Sequence, residues 1–198
     1  MAKNNNAAEW LPRVLFESFL ITISILVALA LDEWRENRED AETAQQALSN
    51  FVSEIQQNRA RIDDAAPFNL GLLNVLRNRY EEDDIASVDD FVNMVESYSP
   101  VDLQTTAWET ALATGSLAKM EYNLVSALSL TYSLQNRYEI ATRSGMADLT
   151  SVQNLSDGRL ELAVYNSIRY LTDISDMESE LSIIYSEAEA VIGSAVSD

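Results

Sequence analysis

The chain has neither cysteine nor histidine among its 198 residues. Without cysteine there is no disulfide and no thiol nucleophile. Without histidine the commonest general base is missing, and so is the commonest metal ligand. Zinc sites of the usual kinds have no ligand set to draw on. Positive charge is scarce as well. Lys and Arg number 13 against 32 Asp and Glu, a formal net charge of −19. A surface this acidic is repelled by nucleic-acid phosphates and by anionic headgroups, which excludes nucleic-acid binding. Calcium needs only carboxylates, but Glu81-Glu82-Asp83-Asp84 lacks the spacing of a calcium loop and reads as a solvated turn. No cofactor and no metal are expected. Alternating strand patterns of useful length are absent too, so the expected fold is all-α.

What is present is one long apolar run. Residues 14–31, VLFESFLITISILVALAL, hold a single ionisable group, Glu17, and neither Gly nor Pro. Trp10 precedes the run and Trp34 follows it. A helix from Trp10 to Trp34 is roughly 36 Å long at about 1.5 Å per residue, the ~30 Å hydrocarbon core plus some interface. Indole rings favour that interface, having an apolar body and a polar N–H. A transmembrane helix is expected over residues 14–34, with a short tail at 1–13 and an acidic extramembrane domain at 35–198. A cleaved signal peptide would end at small residues, whereas this run ends in Leu31-Asp32-Glu33-Trp34-Arg35. A surface helix of a soluble protein would show a polar stripe. Here the only hydroxyls from Phe19 to Leu31 are Thr22 and Ser24, and both can bond back to helix carbonyls.

Glu17 lies one turn inside Arg13. It has two readings: an i,i+4 pair with Arg13 at the interface, or a hydrogen bond to a partner helix. Trp10, Arg13, Glu17 and Trp34 are the expected anchor residues, and Glu17, Trp34 and Arg35 the candidate partner contacts. Lys3, Arg13 and the terminal amine lie before the span and Arg35 and Arg38 follow it, so the basic bias is thin, and the short 13-residue tail is easily retained inside. The expected orientation puts the N-terminus in the cytoplasm and the acidic domain outside. In a Gram-negative bacterium that domain is periplasmic and the membrane the inner one.

Residues 32–64 continue the membrane helix as a stalk, charged all round at first and then amphipathic from Ala44 to Ile62. Asp63, Asp64 and Pro67 are expected to end it. A second helix over 67–82 carries Phe68, Leu70, Leu72, Leu73, Leu76 and Tyr80, weakened by Gly71. Ser87 caps a short helix with Phe91, Val92, Val95 and Tyr98 inward, closed by Pro100. In TTAWETALATGS, Thr106 and Glu109 have capping-box spacing, Trp108 is the expected core residue of a helix corner, and Gly115 suits a left-handed cap. A long helix from Glu121 to about Asn154 is expected to kink at Gly145. Ser156-Asp157-Gly158 makes a turn, and a last helix runs from Arg159 to about Val196. The whole is an antiparallel helical bundle on a helical stalk.

Three stretches carry a resemblance: FESFLITISILVALALDEWREN, AWETALATGSL and EYNLVSALSLTY. With them the chain resembles a family of bacterial single-pass membrane proteins. The resemblance implies a membrane location and a helical extramembrane domain. It carries no activity, so no catalytic residue is transferred. The expected function is a non-catalytic accessory subunit of a larger membrane complex, such as a respiratory or photosynthetic assembly, with the bilayer and other membrane subunits as partners; self-association is compatible with it. The alternative is an extracytoplasmic sensor or ligand-binding module acting through a partner. An enzyme is disfavoured. Carboxylates such as Glu109 and Glu121 have no defined catalytic partners.

Overall fold

The computed structural model describes residues 7–98, 100–151 and 157–197, with side chains described over 13–98, 100–145 and 158–195. Trp10's side chain, Met146's side chain, Asn154 and Ser156 lie outside what is described. Every regular element among the described residues is helical. In order they are α1 (Ala7–Glu81), α2 (Val88–Val95), α3 (Thr106–Thr114), a 3₁₀ turn (Ser116–Lys119), α4 (Tyr122–Ser151), a second 3₁₀ turn (Asp157–Arg159) and α5 (Leu160–Ser197). The chain divides into two compact units, Met1–Ala44 and Gln45–Asp198. The first is α1 alone over its described residues. The second contains the remainder of α1 and all other elements.

The core of the second unit follows a seven-residue rhythm. On α5 the buried positions advance by three and four without exception: Val164, Ser167, Leu171, Ile174, Glu178, Leu181, Tyr185, Ala188 and Ile192. On α4 the same steps give Leu124, Leu128, Thr131, Gln135, Tyr138 and Thr142. On α1 they give Leu48, Phe51, Ile55, Asn58 and Ile62, and resume at Asn69, Leu73 and Leu76. This 3.5-residue period is the seam of coiled-coil packing. Side-chain bonds fix the directions. Arg59 reaches Glu189, Asn69 reaches Glu178 and Arg77 reaches Thr172, so α5 runs antiparallel to α1. Tyr138 with Glu178 and Tyr170 with Thr142 set α4 antiparallel to α5.

Pro67 does not end α1. The helix passes through it to Glu81, so the expected break at Asp63, Asp64 and Pro67 is absent. A helix-interior proline costs about 3 kcal/mol. The buried Ile62, Leu73 and Leu76 that straddle it each contribute about 1.5–3 kcal/mol of burial. Packing outweighs the break, and the exposed ring of Pro67 faces water on the far side from the seam. Phe68 and Leu70, expected inward, are 52% and 46% exposed, because Asn69 occupies the seam position between them.

The true end of α1 is a Schellman motif. Asp83 takes the left-handed conformation at φ 53°, its N–H bonds Tyr80 O, and Asp84 N–H reaches back to Arg79 O at 2.9 Å. Ser87 caps α2 as expected, accepting from Asp90 N. Phe91 and Val95 are buried, and α2 ends five positions before its closing Pro100. Gly145 leaves α4 unbroken. A Cβ there would fall 1.9 Å from the Tyr170 ring, so the glycine gives room to a neighbour and not a kink.

Candidate functional site

The apolar run is one stretch of α1 long and apolar enough to cross a membrane, with none of its residues covered by the rest of the chain. Leu15, Phe19, Ile21, Leu26 and Leu29 are each about three-fifths exposed. Its polar groups are satisfied within the helix. Thr22 Oγ1 bonds Ser18 O at 2.9 Å and Ser24 Oγ bonds Leu20 O at 2.8 Å. Glu17 Oε1 accepts from Arg13 Nε at 3.1 Å, which is the first of its two readings. Arg35 lies between Asp32 at 3.4 Å and Glu39 at 3.6 Å. Trp34, 61% exposed, lies under the Arg38 guanidinium at 5.8 Å. Exposed pairs of this kind contribute at most about 1 kcal/mol each. They leave Trp34 and Arg35 accessible on the helix surface.

The helix corner forms, though by different chemistry from the capping box. Thr105, not Thr106, is the N-cap of α3, and it makes no capping bond. Its hydroxyl instead donates to Glu109 Oε1 at 3.0 Å. The cap comes from α1. Glu54 Oε2 accepts from the buried Ala107 N–H at 2.9 Å, and Glu54 Oε1 accepts from Tyr132 Oη at 2.7 Å. One buried carboxylate thus joins three helices. Trp108 is half-buried, stacked on Tyr132 at 5.2 Å and tilted against Phe51 at 6.4 Å. It covers the core from its edge. Gly115 takes φ 70° and returns its N–H to Ala111 and Leu112 carbonyls, the cap expected of it.

Between α2 and α3 the described residues have no regular structure, yet they are tied down. Asn58 forms a two-way clasp with Gln104, donating to its carbonyl and accepting from its N–H, both at 2.8 Å. Gln135 Nε2 donates to the same carbonyl at 3.0 Å, and Arg61 Nη1 to Asp102 O at 2.8 Å.

A second polar cluster lies deeper. Glu178, fully buried, accepts at Oε1 from Asn69 Nδ2 at 2.7 Å and from Tyr138 Oη at 3.0 Å. Tyr138 Oη in turn accepts from Val101 N–H at 3.4 Å. Tyr98 and Tyr170 hydroxyls meet at 3.1 Å, and the Tyr170 hydroxyl donates to Thr142 O at 3.4 Å. Burial pushes the Glu178 carboxyl upward, with the bonds from Asn69 and Tyr138 opposing it. Burial also pushes the Tyr98, Tyr132, Tyr138, Tyr170 and Tyr185 hydroxyls above the ordinary tyrosine value. Among the described residues no three carboxylates converge as a metal site would require.

Sequence reasoning placed the long apolar helix and the caps at Gly115 and Ser87 correctly. It missed Glu54, Asn58, Asn69, Gln135 and Glu178. The signal for most of them was the seven-residue spacing, which counts polar seam residues along with apolar ones. Compared with protein-family models, with curated proteins and with solved structures, the chain finds no match.

Proposed function

We propose that this chain is a non-catalytic accessory subunit that docks on and stabilises a larger bacterial membrane protein complex, held in the inner membrane by residues 14–34. One observation carries the reading: a single helix, α1, supplies both a bare apolar span and one wall of a tightly packed helical bundle. An uncovered span of this composition requires lipid or other helices around it. The bundle's polar interior is spent on joining its own elements, which supports a scaffolding role over a chemical one. Partner contacts would come from Glu17, Trp34 and Arg35, all exposed on α1 near the expected membrane surface.

The test is native purification in a mild detergent followed by identification of the co-purifying chains. Stoichiometric recovery of other membrane subunits is expected. Recovery of this polypeptide by itself counts against the reading. A reporter fused at Asp198 decides orientation, with periplasmic activity expected.

The alternative, an extracytoplasmic sensor or ligand-binding module, is favoured by one feature. An open groove of about 600 Å³ lies beside Arg61, Asp64, Phe68, Pro100 and Asp102. A small-molecule screen by thermal shift distinguishes the two, because an accessory subunit responds to its partner and not to metabolites.

A further inference from the structure

Glu178 sits in the seam of α5, with no exposed surface at all. Its Oε1 has two donors, Asn69 Nδ2 at 2.7 Å and Tyr138 Oη at 3.0 Å. Its Oε2 has none. The neighbouring Asn69, 2% exposed, is in the same position: its amide nitrogen is used and its Oδ1 has no partner. As a carboxylate, Glu178 would leave two buried acceptors with nothing to receive, each costing about 1–3 kcal/mol. It would also leave a negative charge without a counter-ion. The groups that face it are Asn69 on α1, Tyr138 on α4, Tyr98 from the segment after α2 and Tyr170 on α5, and all are uncharged. Among the described residues no Lys or Arg pairs with it.

A single proton removes both defects. Placed on Oε2, it turns that oxygen into a donor. The acceptor it needs belongs to the same amide that already donates to Oε1. A carboxylic acid and a primary amide complement each other in this way, one N–H···O and one O–H···O bond closing a ring. We propose that Glu178 is a proton-binding site: the fold holds it as the neutral acid, its hydroxyl given to Asn69 Oδ1.

The sign of the pH dependence follows. The native state keeps a proton that the unfolded chain loses in the ordinary glutamate range. The contribution is full below that range. It falls as pH rises, tenfold in the folding constant per pH unit, until the native group itself ionises. Acid therefore locks α5 to α1 at Asn69, and rising pH loosens the lock.

The experiment uses the full chain in mild detergent, comparing wild type with Glu178→Gln. The glutamine keeps the shape and supplies an N–H where the hydroxyl was. Its folding constant has no proton to lose at this position. The ratio of wild-type to variant folding constants should fall as pH is raised above the ordinary glutamate range, by up to tenfold per unit until the native group ionises. A ratio independent of pH overturns the proposal. Infrared difference spectra give a readout that does not depend on refolding. Wild type should show the carbonyl band of a buried protonated carboxyl, absent from the variant. Asn69→Ala should move that band toward the frequency of a free acid. Absence of the band in wild type overturns the proton, and an unmoved band in Asn69→Ala overturns its placement.

Discussion

Glu54 is a residue whose removal should be felt in two other helices at once. It accepts from the Ala107 N–H 53 positions away and from the Tyr132 hydroxyl 78 positions away, with 5% of its own surface exposed. Glu54→Ala leaves a buried amide and a buried hydroxyl without acceptors. Each orphan costs about 1–3 kcal/mol, and the amide belongs to the first turn of α3, where a lost cap is worth about 1 kcal/mol. Counting the cap once, as part of the orphaned amide, the expected loss is about 3 kcal/mol. Glu54→Gln keeps one acceptor and presents an N–H to the other donor, so about half that loss should remain. Tyr132→Phe removes one orphan in advance, so Glu54→Ala should cost about 1–2 kcal/mol less in that background. Urea unfolding of the full chain in mild detergent measures all four variants, and hydrogen exchange over residues 106–115 reports the cap directly. If Glu54→Ala shifts stability by less than about 0.5 kcal/mol, or if the cycle shows no coupling, Glu54 is not the cap of α3 and the reasoning fails.

Two further outcomes can be checked together with it. Gly71→Ala should stabilise the chain by about 0.5–1 kcal/mol, since the position is exposed in mid-helix with nothing near an added methyl, whereas Gly145→Ala should destabilise by about 1–3 kcal/mol by displacing the Tyr170 ring; thermal melts that rank the two in the opposite order would refute the packing described at Tyr170. Ile23→Lys combined with Leu26→Lys should cost roughly 5–7 kcal/mol of insertion and move the protein out of the carbonate-washed membrane fraction, an outcome read by immunoblot.

Much of this architecture was legible from pattern alone. Apolar spacing announces helices wherever it is unbroken, and Gly115 and Ser87 announce caps because their chemistry is local. Two things were hidden. Proline is read as a helix terminator from its own covalent geometry, but at Pro67 the outcome depended on Ile62, Leu73 and Leu76 joining a core to which α4 and α5, more than 45 residues on in sequence, also contribute. The polar seam was hidden for a related reason. Asn58, Asn69 and Glu178 look like solvent-facing residues until their partners are known, and those partners are 46, 109 and 40 positions distant. A capping box within α3 was a sensible local guess, but a long-range carboxylate already held the amide that Thr105 would have served.

The strapped segment between α2 and α3 has a practical consequence. Connections without helix or strand are where chains ordinarily tolerate epitope tags, insertions and nicks. Here Asn58 and Arg61 of α1 and Gln135 of α4 hold the backbone of Asp102 and Gln104, so a tag inserted there would break the tethers to both helices. The permissive place for engineering is instead the exposed turn at residues 82–84, whose hydrogen bonds begin and end within the last turns of α1.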